Sequence, residues 1–67
     1  MYPNLKAEMA RKDVTMSELA KYLGITLGTF SQKMNGHYDF SFSEAVKIKQ
    51  YLDVDVPLDI LFERVVA

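Results

Sequence analysis

Between Thr15 and Gly36 the chain carries two helix starts and two helix stops in alternation, and that order leaves little choice of local structure. Thr15 with Glu18 three residues later is a capping box, in which each side chain accepts from a backbone N–H that the first helical turn leaves unpaired. Val14 before the cap and Leu19 at the fourth helical position are spaced as a hydrophobic staple, which sets the angle at which the chain enters. A helix therefore starts at Met16. Gly24 tolerates the left-handed conformation that ends a helix, and Ile25 beyond it folds back towards Leu19 or Ala20 in a Schellman-type stop. Thr26 then caps a second helix with Ile25 and Phe30 as its staple pair, and Asn35-Gly36 ends it, since both residue types tolerate positive φ. Two helices separated by about three residues, one of them glycine, make a helix-turn-helix, whose members cross at roughly 90–120°.

The rest of the chain reads as helices that support this pair. Pro3 suits a first helical turn, and Leu5 and Met9 recur at i and i+4, so a helix spans residues 3 to 12. Arg11 and Lys12 fall in its last turn, where they either contact phosphate or solvate the helix end. His37 to Phe40 lack helical periodicity. Ser41 with Glu44 repeats the capping box, so a fourth helix runs from Phe42 to Leu52, burying Ala45, Ile48 and Leu52 together with Tyr51 and Phe42. Pro57 opens a fifth helix in which Leu58, Leu61, Phe62 and Val65 follow the i, i+3, i+4, i+7 pattern. That apolar stripe either closes the core or forms a dimer or partner face.

A length of 67 residues, 49% of them hydrophobic, allows one domain, residues 1–67, with no room for a second. Such a domain buries only about 60% of its unfolded surface, so association with another copy is a ready source of stability. Without cysteine there is neither a disulfide framework nor a thiolate metal site. His37 beside Asp39 is a poor start for a metal site, being the lone histidine. No apolar run reaches the length of a signal core or bilayer span, so a soluble, cytoplasmic protein without cofactor or metal is expected. No carboxylate pair, nucleophile with base, or phosphate-cradling glycine loop stands at useful spacing, so an enzyme is not expected. The net charge of −1 hides an asymmetry: residues 1–33 carry five cations against three acids, residues 34–67 three against six.

Leu19-Ala20, Leu23-Gly24-Ile25-Thr26, Phe30-Ser31 and Asn35-Gly36, followed by an amphipathic helix and a closing Leu-Phe, resemble the lambda repressor/Cro-like regulators of the xenobiotic-response-element family. The resemblance covers nearly the whole chain. It implies an all-α, five-helix DNA-binding domain of phage or prophage type, with residues 26–35 as the recognition helix in the major groove of a double-stranded operator. By position, Leu27, Gly28, Ser31 and Gln32 would read bases. Gln32 is the foremost, because its amide can pair bidentately with adenine. Lys21, Thr26, Thr29, Lys33, Asn35, His37 and Tyr38 would touch the DNA backbone and position rather than specify.

Each assignment has a plainer counterpart. Leu27 shares helical spacing with Phe30 and Met34 and would equally be core, and Ser31 and Gln32 would equally be a solvated face. The chain also departs from the family pattern. Met16 stands where a phosphate-contacting Gln is frequent, and Lys33 stands where an aliphatic residue is usually buried. Gly28 offers no side chain, and the loop after Gly36 lacks the common Lys or Arg. The function expected is that of a transcriptional regulator, most simply a homodimeric repressor with recognition helices about 34–36 Å apart. The competing expectation is a protein-interaction module that holds a second regulator through the apolar last helix.

Overall fold

The computed structural model describes residues 1–64, and these form five helices and no strand: α1 (Pro3–Arg11), α2 (Met16–Leu23), α3 (Leu27–Met34), α4 (Phe42–Leu52) and α5 (Leu58–Leu61). Both capping boxes are made. Glu18 N–H donates to Thr15 Oγ at 3.1 Å, and Thr15 N–H donates back to Glu18 Oε1 at 3.2 Å. The Ser41–Glu44 pair does the same at 3.1 and 2.9 Å. Gly24 takes φ 76°, and Ile25 N–H reaches the Ala20 carbonyl at 3.0 Å, the long bond of a Schellman stop. At the end of α3 only Gly36 turns left-handed, with φ 85°, while Asn35 stays right-handed. Asp13 and Asp53 take the same left-handed role after α1 and α4. Aspartate is one of the few non-glycine types to do so.

Every helix sends at least one fully enclosed side chain to the centre: Leu5, Leu19, Phe30, Ile48, Leu52 and Leu61. The helix-turn-helix lies on one side of this core, with α3 packed mainly on α2 and α2 resting on α4. A second part of the core was not legible from periodicity. Tyr2, Phe30, Phe40 and Phe62 stack edge to face with centroids 5.4 to 5.9 Å apart, drawing three residues from outside any helix, Tyr2, Phe40 and Phe62, into the interior.

Two expectations of burial need correction, and a third is decided. Phe42 is 78% exposed rather than buried, because it is the first residue of α4 and a helical side chain there leans back over the N-terminal end, away from the core. Tyr51 is also at the surface, where its ring stacks on Tyr22 at 4.8 Å and its hydroxyl donates to Glu18 Oε2 at 3.0 Å. The apolar stripe of the last helix closes the core, one of its two expected roles, in a helix shorter than its pattern. α5 is a single turn, Leu61 is 0% exposed, Leu58 is half-buried, and Phe62 turns into the aromatic stack; Val65 lies outside the described residues. Asn4 Nδ2 fixes this turn from α1 by donating to the Ile60 carbonyl at 2.9 Å. No helix among the described residues is long and apolar enough to cross a membrane.

Candidate nucleic-acid interface

At about 100° per residue, positions 27, 28, 31, 32 and 35 fall within an arc of roughly 140° on α3. The structure leaves that arc uncovered. Leu27 is 48% exposed, so it is a surface residue and not core; Gly28, Gln32 and Asn35 are exposed and Ser31 is half-buried beside them. The core side of the helix holds Phe30 and Met34. His37 and Tyr38 follow directly after the Gly36 turn and are exposed, which extends the surface past the helix end.

The positions at the start of α3 are organised by its cap. Thr26 Oγ accepts from Thr29 N–H at 3.1 Å and lies 2.9 Å from the Thr29 hydroxyl oxygen. The two hydroxyls therefore hold each other at the N-terminal end of the helix, with Thr26 exposed and Thr29 half-buried. Lys21 is exposed on the neighbouring α2. Met16 is partly buried and packs on the core.

Lys33 departs from its expected role. It lies about 240° from Leu27 around the helix and so faces α4 rather than the open arc. Its Nζ donates to Glu44 Oε1 at 3.0 Å and to the Asp39 carbonyl at 3.1 Å, and it sits 6.0 Å from the Phe40 ring centroid. With 16% of its side chain exposed, its charge is spent inside the molecule. The buried aliphatic position of the family pattern is thus filled here by a lysine whose stem packs and whose tip is paired. Burial by itself raises the Glu44 pKa, but the Ser41 backbone N–H and the Lys33 ammonium outweigh it and hold the carboxyl below its ordinary value. Arg11, another proposed phosphate contact, is engaged by the nearly buried Glu8 at 2.8 Å.

Asp39 is held by Arg64 at 2.9 Å rather than combining with His37, and among the described residues no group of three or more potential metal ligands occurs. Arg64 carries no signal in the sequence for its place at this surface, since it lies 25 positions from its partner.

The sequence pattern of the Cro/C1-type HTH DNA-binding domain matches residues 4–62, a span that begins in α1 and ends just after α5. No curated protein and no solved structure matches the chain. Five helices around one core, with the second and third presenting an uncovered polar arc, are the lambda repressor-like fold, and the chain belongs to the family of Cro/C1-type helix-turn-helix DNA-binding domains, a DNA-binding regulator.

Proposed function

We propose that the protein is a sequence-specific transcriptional regulator, not an enzyme, that acts in the cytoplasm by laying α3 in the major groove of a double-stranded operator. The observation that carries this reading is the uncovered arc of Leu27, Gly28, Ser31, Gln32 and Asn35 on a helix whose opposite side is locked into the core. Gln32 is the principal base reader, through its amide and the edge of adenine. Leu27 meets a thymine methyl, Gly28 lets the backbone approach, and Ser31 donates to a base or phosphate. Lys21, Thr26, Thr29, Asn35, His37 and Tyr38 set the register along the backbone.

The protein works as a homodimer. Its extents of 27 × 26 × 21 Å fall short of the roughly 34–36 Å between successive major grooves, so one copy covers one half-site and a palindromic operator takes two. Occupying such a site represses transcription. A divergent repressor gene beside an integrase gene in the genomic neighbourhood would support a phage or prophage setting.

The test is fluorescence anisotropy with the intergenic duplex beside the gene. Gln32→Ala is expected to cost about 1–3 kcal/mol and to relax preference at one base pair. Affinity unchanged by this substitution, or no binding at ~50 mM salt, overturns the reading.

A further inference from the structure

The surface expected to lie along the DNA backbone is poor in positive charge, and the side chain that makes up the deficit comes from far along the chain. Residues 27–40 contain one Lys and no Arg, and Lys33 is committed to Glu44 and the Asp39 carbonyl. Asp39 adds a negative charge to the same loop. Arg64 belongs to the acidic half of the sequence but meets this loop in space. Its Nη1 donates to Asp39 Oδ1 at 2.9 Å, and its guanidinium carbon lies 5.8 Å from the Tyr2 ring centroid. Gly36 makes room for it. A Cβ there would come within 3.2 Å of Arg64 Nη2 and 2.9 Å of Met1 Cε, so any side chain at the stop of α3 would press on the guanidinium. Among the described residues the guanidinium makes that one hydrogen bond out of its five N–H donors, and 40% of the side chain is exposed.

We infer that Arg64 contacts the DNA sugar-phosphate backbone, supplying the loop after α3 with the cation its own sequence lacks while cancelling the charge of Asp39. The inference rests on α3 being the recognition helix. A guanidinium that gives one edge to a carboxylate keeps donors for a phosphate oxygen, and its planar fork suits that ligand. Each additional neutralised phosphate releases condensed counterions, so the contact has a salt-dependence signature.

The experiment is anisotropy of a fluorescein-labelled mixed-sequence duplex titrated with the full chain at several salt concentrations. Arg64→Gln is expected to lose roughly tenfold in affinity at ~50 mM salt but only roughly threefold at ~200 mM, a slope smaller by about 0.9. Arg64→Lys keeps the slope, and Asp39→Asn binds more tightly than the parent. A strap that only shaped the loop would make Asp39→Asn and Arg64→Gln weaken binding alike. That result, or an unchanged slope in Arg64→Gln, overturns the inference. The reading of α3 then still stands if Gln32→Ala relaxes base preference, whereas a parent chain that binds no duplex overturns both.

Discussion

Lys33 and Gln32 are neighbours in sequence with opposite destinations, and the 100° step of the helix is what separates them. Gln32 stands in the open arc, while Lys33 reaches Glu44 across the interior side of α3. Because its ammonium is already paired, Lys33→Met is expected to leave the salt slope of DNA binding unchanged, and by keeping the packed stem to alter stability by less than about 1.5 kcal/mol, measured by urea unfolding. Glu44 is the titrating half of this pair, with its pKa held below 4.5. A depressed carboxyl binds its proton first in the unfolded chain, so its stabilisation is full above about pH 4.5 and is lost as pH falls through the lower folded value. The difference in melting temperature between the parent and Glu44→Gln should therefore shrink on acidification below that pH. The arc was legible from residues 27 to 35. The charge of Lys33 does not reveal its partner, which its angle on α3 and the packing of α4 supply, and Arg64 meets Asp39 only on folding.

Helices α2 to α4 begin at side-chain caps and end at left-handed stops, because both are local hydrogen-bonding devices that need no tertiary partner, whereas α1 opens on Pro3 with no side-chain cap. α5 has neither. Pro57 opens it without a side-chain cap, and it stops after four residues as Phe62 joins Tyr2 and Phe40. One turn of helix pays the full nucleation cost with few bonds in return, so packing decides its length. Within α3, Gly28 is an element-level weakness. A Cβ there would meet only Thr26 Oγ, at 4.0 Å, so Gly28→Ala should stabilise the domain by up to about 1 kcal/mol in thermal or urea unfolding. If the backbone at Gly28 approaches DNA, the same variant loses operator affinity while gaining stability, a split that a purely structural glycine would not show.

At the scale of the molecule, the core is small and drawn from all five helices, so no single element can be lost without opening it. Leu61→Ala removes the fully enclosed contribution of α5 and should cost about 2–5 kcal/mol, seen as a large drop in the midpoint of a circular dichroism melt. Against a total stability of only about 5 kcal/mol for a domain of this size, that approaches unfolding. Helix order, the helix-turn-helix and the grouping of residues 27–35 on one arc follow from the sequence alone, because caps, glycine stops and a 3.6-residue period act within a few residues of each other. Which apolar and charged residues remain at the surface, Leu27 among them, is set by packing between elements. Phe42 stays out, Phe62 and Leu61 go in, Lys33 turns to Glu44, and Arg64 arrives beside Asp39. Each of these depends on contacts between elements distant in the chain, and local spacing carries no information about which partner will be there.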